Sequence, residues 1–141
     1  MQSANIPASM ENLPRVMSLT GRFLKEAGCG EDDRRLIEIS VEEIFTNIAS
    51  YAYKTKEGTV WMEWDVRKTG ETQKEIVIRF QDEGVPYDPF VRKNPDLTLP
   101  IEDRPVGGLG VYMVKQFMDD AGHCYENGSN VTVIKKRFHA E

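Results

Sequence analysis

Apolar positions in the first part of the chain recur at helical spacing. From Glu11 onward Leu13, Val16, Met17, Leu19, Thr20, Phe23, Leu24 and Ala27 fall on one stripe and predict a helix. Pro14 sits in its first turn, where a missing N–H costs nothing, and Gly28 and Gly30 close it. Ahead of it, Ile6 and Pro7 read as the end of a short strand. A second helix opens behind Glu31, Asp32 and Asp33, acids that suit the positive end of a helix dipole. Leu36, Ile37, Ile39, Ser40, Ile44, Ile48 and Ala52 carry it toward Tyr53, interrupted by Glu42, Glu43 and Asn47.

After Gly58 the period changes. Residues 59–67 and 75–82 are rich in β-branched and aromatic side chains in partial alternation, and the polar stretch 68–74 reads as their hairpin loop. Trp61 and Trp64, three apart in the first of these strands, fall on opposite faces. Residues 83–107 carry five prolines and little periodicity, and a loop of that length inside a compact domain is usually functional. Residues 109–118 then read as a helix. Residues 123–126 and 130–138 form a final hairpin around Asn127 and Gly128. The order predicts an α+β two-layer sandwich, a mixed and mostly antiparallel sheet with helices on one face.

The length of 141 residues fits one domain over 1–141, and 40% hydrophobic with 29% charged residues describes a globular chain. A net charge of -5 argues against direct nucleic-acid binding. For the same reason Lys135, Lys136 and Arg137 read as a solvated strand end. No apolar run reaches the ~20 residues of a membrane span, and the start of the chain lacks the pattern of a signal peptide. Cys29 and Cys124 have no metal-ligand spacing, and His123 and His139 lack a second ligand pair. The expected setting is cytoplasmic.

Chemistry concentrates in three places. Glu43 and Asn47, four apart on the second helix, share one face, where a carboxylate and an amide can polarise a hydroxyl and hold a hard cation. Alone, such a pair equally describes a solvated helix face. Asp82 and Gly84 follow a hydrophobic strand, where an acid can accept from an exocyclic amine and a glycine admits a flat ring. The same residues also make an ordinary turn. Gly107, Gly108, Leu109 and Gly110 run into a helix and offer backbone N–H groups to a polyphosphate, without the Lys-Ser/Thr of a P-loop.

Taken in order, these motifs resemble the GHKL ATPase superfamily, and within it the RsbW-type anti-sigma-factor serine kinases. The residues that carry the likeness are 41–48 (VEEIFTNI), 82–90 (DEGVPYDPF) and 108–114 (GLGVYMV). The resemblance implies ATP and Mg²⁺ as cofactors, with Glu43 as general base or orienting group and Asn47 as Mg²⁺ ligand. It implies that Asp82 receives the adenine amino group and that Gly84 gives the ring room. Gly108, Leu109 and Gly110 would bind phosphate through the opening of the last helix. Residues 87–107 would be the ATP lid, with Arg104 a candidate for the terminal phosphate.

Three departures stand out against that branch. Pro86 replaces a second glycine, Tyr51 stands where a histidine is frequent, and Val133 aligns with a threonine beside adenine, with Thr132 expected to face away. The implied function is ATP-dependent phosphorylation of a STAS-type anti-sigma-factor antagonist, with sequestration of a sigma factor by partner switching. A homodimer is left open. The alternative is a non-catalytic nucleotide-binding module that sequesters a protein partner.

Overall fold

In a computed structural model, residues 1–53, 57–91 and 109–140 are described. Arg104, Gly107, Gly108 and most of the expected lid lie outside them. Strand β1 spans Gln2–Pro7, α1 Leu13–Glu26, α2 Glu31–Asn47, β2 Thr59–Lys68, β3 Gln73–Asp82, α3 Leu109–Phe117, β4 Asp120–Glu126 and β5 Ser129–His139. They form a sheet of order β1-β2-β3-β5-β4 in which every pairing is antiparallel. The expected sandwich is therefore present, and its sheet is antiparallel throughout the described strands.

Local chemistry sets the boundaries. Pro14 lies in the first turn of α1, and Gly28, at φ 81°, closes it with a conformation that residues bearing a Cβ avoid. Asn127 and Gly128, at φ 53° and 79°, make the tight turn between β4 and β5. Strand β1 extends back to Gln2, further than its single apolar pair indicated, because a polar edge strand with only Ile6 fully buried carries little hydrophobic signal. The α-helical part of the second helix ends at Asn47, and a π-helical turn, Ile48–Ala52, carries the chain on toward Tyr53.

One sheet face meets the helices. Val60, Met62 and Trp64 of β2, Ile76, Ile78 and Phe80 of β3, and Ile134 and Phe138 of β5 pack with Val16 and Leu24 of α1, Ile37, Val41, Ile44 and Phe45 of α2, and Val114 of α3. Trp64 is fully buried, and its indole N–H donates to Thr20 Oγ1 at 3.1 Å, tying the two layers together. Trp61 lies on the opposite, partly exposed face, as the alternation predicts. There Glu63, Arg79, Val77, Val133 and Lys135 line an open groove.

Candidate functional site

The core stripe of β3 reads Ile76, Ile78, Phe80, and its next place is taken by Asp82, which is 3% exposed. A buried carboxylate is costly unless it is hydrogen-bonded. Two donors meet it, the Gly84 backbone N–H at 2.9 Å and the Asn130 amide at 3.0 Å, and both bond to Oδ1. Oδ2 has no hydrogen-bond partner among the described residues, and Asp82 is one of the residues that line the cleft.

The turn after Asp82 is braced from below. The Tyr53 hydroxyl donates to the Thr59 carbonyl and accepts the Glu83 N–H, each at 2.8 Å. Burial pushes the Tyr53 phenol above its ordinary pKa. The Val85 N–H donates to the Ala52 carbonyl at 3.0 Å. A Cβ on Gly84 would collide with that same carbonyl and with the Ala52 side chain. Glycine is thus demanded here by the close approach of two backbone segments, in addition to any room it leaves for a ring.

The opposite wall comes from α2 and α3. Ile44, Asn47, Ile48, Tyr51 and Ala52 line the cleft from α2 and its π-helical extension, and Val111 lines it from α3. Tyr51 is 59% exposed at the rim. Glu43, one turn before Asn47, lies against the start of α3, so that a Cβ on Gly110 would run into its carboxylate. The first turn of α3 presents backbone N–H groups and the positive end of the helix dipole, a setting that suits an anion. Glu43 is half-buried, and desolvation, helped by the neighbouring charge of Glu42, raises its pKa above the usual carboxylate value. A partly desolvated carboxylate with a raised pKa is a better proton acceptor than an ordinary one.

The floor of the cleft corrects one expectation from the sequence. Pairing of β3 with β5 sets Phe80 opposite Thr132 and Asp82 opposite Asn130, so Thr132 and Asn130 share the core-facing side. Thr132 is 4% exposed and lines the cleft, whereas Val133 lies on the outer face beside Val77 and Arg79. The departure attributed to Val133 is thereby removed, since a threonine stands beside Asp82 after all. The error was one of strand parity, which a single shift in the assumed register inverts.

Asp82 and Asn47 thus line one cleft, with Glu43 one helical turn away and Gly110 against it. Leu109 is the first residue of α3, while Gly108 and Arg104 lie outside the described residues. Sequence reasoning missed Asn130, and it placed Tyr87, Pro89 and Phe90 in the 82–90 motif and the expected lid without a role of their own; all four line the cleft. The donor set fits Mg²⁺ and ATP: hard oxygens on Asn47 and Glu43, a carboxylate acceptor on Asp82, and apolar side chains around it. Among the described residues no cluster of His, Cys, Asp or Glu could hold a metal by itself.

Comparison with known proteins agrees with this geometry. The family described as the histidine kinase-like ATPase domain matches residues 6–136. A serine-protein kinase RsbW of Bacillus mycoides is 27% identical over 134 residues, 92% of this chain and 81% of the relative. A serine-protein kinase RsbW of Bacillus cereus is 28% identical over the same shares. The crystal structure of the RsbU and RsbW domains of a Mycobacterium tuberculosis protein superposes with a TM-score of 0.67 at 14% identity, covering 100% of this chain and 34% of that one. Because the family match runs over nearly the whole length and its cleft carries the residues described above, the chain belongs to the histidine kinase-like ATPase domain family, on its RsbW-type branch.

Proposed function

We propose that this protein is an ATP-dependent protein serine kinase that acts as an anti-sigma factor in the cytoplasm. Its substrate is a STAS-type anti-sigma-factor antagonist, and its other partner is a sigma factor that it sequesters and releases by partner switching. The observation that carries the reading is the placement of Glu43: half-buried, raised in pKa, lying on the first turn of α3 and one helical turn from Asn47. Relatives named serine-protein kinases, matched over 92% of the chain, support it.

In this reading Asp82 Oδ2 accepts the adenine amino group, and Thr132 and Asn130 form the floor beneath it. Asn47 presents its amide oxygen to Mg²⁺, which neutralises phosphate charge when bound. Backbone N–H groups at the start of α3, from Leu109 and Gly110, face the phosphates; the phosphate roles of Gly108 and Arg104, which lie outside the described residues, are carried by the resemblance alone. Glu43 orients the serine hydroxyl of the partner and takes its proton as the oxygen attacks the γ-phosphorus, the bond to the β-phosphate oxygen breaks and ADP leaves.

The test is incubation of the purified chain with γ-labelled ATP, Mg²⁺ and a candidate STAS-type protein from the same organism. Label is expected on a serine of that protein. A stable complex that forms with nucleotide but never carries label would overturn the kinase and favour a non-catalytic sequestering module. Two features of the chain, Pro86 at the lid root and Tyr51 at the rim, are what keep that second reading in view.

A further inference from the structure

Asn130 has more to do than fill the cleft floor. The residue is 3% exposed, and its side chain bonds at several points to the end of β3 and the loop that follows. Its amide donates to Asp82 Oδ1 at 3.0 Å and to the Val85 carbonyl at 2.9 Å, with a longer approach to the Gly84 carbonyl at 3.4 Å. Its oxygen accepts the Tyr87 N–H at 3.1 Å. Val85 and Tyr87 bracket Pro86 at the root of the segment that leads into the expected lid.

Behind Asn130 stands His123 of β4, with its side chain 6% exposed and Nε2 at 2.8 Å from Asn130 Oδ1. That oxygen can only accept, because the Tyr87 N–H already fixes which end of the amide it is, so Nε2 must carry the hydrogen. Nδ1 then faces the Asp88 carboxylate at 3.8 Å. The chain Asp82–Asn130–His123 thus joins the carboxylate that would read the base to the Val85–Tyr87 stretch and to β4.

We propose that Asn130 is a positioning residue for base recognition, held in place by His123. By occupying Oδ1 of Asp82 it turns Oδ2 toward the ligand, and through Val85 and Tyr87 it fixes the lid root in the same frame. The proposal rests on the reading of the cleft as an ATP site.

It is tested by measuring the affinities of ATP and of inosine triphosphate, which lacks the 6-amino group, in the full chain with Mg²⁺. Loss of a hydrogen bond to a charged group predicts that Asn130→Ala weakens ATP by about 10–100-fold. Inosine triphosphate should be affected far less, so that the preference for ATP collapses. The larger share of the kinetic loss should fall on KM for ATP, not on kcat. His123→Leu should shift the preference in the same direction by about 3–10-fold. His123→Gln, which can still donate to Asn130 Oδ1, should restore it.

These two His123 variants decide the matter should Asn130→Ala not fold, because β4 is an edge strand with a partly exposed surface. A purely structural role would weaken both nucleotides alike and leave the preference intact, and that result would overturn the proposal. If the unaltered protein prefers ATP but its variants keep the preference, this inference alone fails. If the unaltered protein binds neither nucleotide, the ATP-site reading fails and takes the inference with it.

Discussion

In the Glu43→Gln variant, serine phosphorylation is expected to fall by about 10²–10⁴-fold, the usual share of a general base. The same variant should melt slightly higher than the unaltered protein at pH 7–8, by up to about 3 °C. Both effects follow from one fact, that desolvation and the charge of Glu42 raise the pKa of Glu43 in the folded state. Below the unfolded-state value the carboxyl is neutral in both states and costs nothing. As pH rises through the folded value, the native state must ionise a group its surroundings disfavour, so the contribution of this residue to stability is lost. Glutamine stays neutral, so its advantage appears as pH rises and disappears in acid. Activity of the unaltered protein should correspondingly decline on the acid side at a higher pH than an ordinary glutamate would dictate. Melting curves at pH 4 and pH 8, together with label transfer, check the pair of effects. Equal melting at both pH values, or undiminished transfer, would remove Glu43 from the role assigned to it.

Gly84→Ala is expected to destabilise the protein by about 1–3 kcal/mol before any nucleotide is added, and to lower its melting temperature by several degrees. The added Cβ meets the carbonyl of Ala52, a backbone atom that cannot swing aside. Relief requires residue 84 to move, which disrupts the Val85 N–H bond to Ala52 and the Gly84 N–H bond to Asp82 Oδ1. ATP affinity should therefore drop along with stability. Ala52→Gly should not rescue the variant, since the nearest atom to the new Cβ is the carbonyl and not the methyl group. Melting in the absence of nucleotide separates two accounts of this glycine. Were its only service to make room for a purine, the unliganded melting temperature would not change.

Much of this arrangement was legible in the chain because it depends on local chemistry. The stripe from Leu13 to Ala27 with Gly28 behind it, and Asn127-Gly128 between two alternating runs, determine a helix and a hairpin from neighbours alone. Glu43, Asn47 and Asp82 stand out through the order and spacing of their motifs, since each motif alone equally describes a helix face or a turn. Less visible were features created by juxtaposition across strands. Nothing near Asn130 in sequence tells of Asp82, which is 48 residues away and becomes its cross-strand partner only when β3 and β5 pair. His123, considered from sequence only as a metal ligand, acquires its partner through the same pairing of β4 with β5. Thr132 was misplaced because alternation gives the spacing of a strand's faces but not which face is inward; the register against β3 decides that.

The acid that ends the core stripe of β3 has a thermodynamic consequence as well. At the Ile78 and Ile134 level the two layers close with apolar side chains, while at the Asp82, Asn130 and Thr132 level polar groups surround a cleft. On the reading proposed here, a purine ring would complete the packing there, and the chain alone leaves it unfinished. Backbone amides near Asp82 and Asn130 should then exchange with solvent through smaller openings than those near Ile78 and Ile134, and saturating Mg²⁺-ATP should narrow the gap. Native-state hydrogen exchange with and without nucleotide would measure it. One end of the sheet would owe its rigidity to the energy charge of the cell, so that abundance and turnover of the protein, and not only its activity, would follow the supply of ATP.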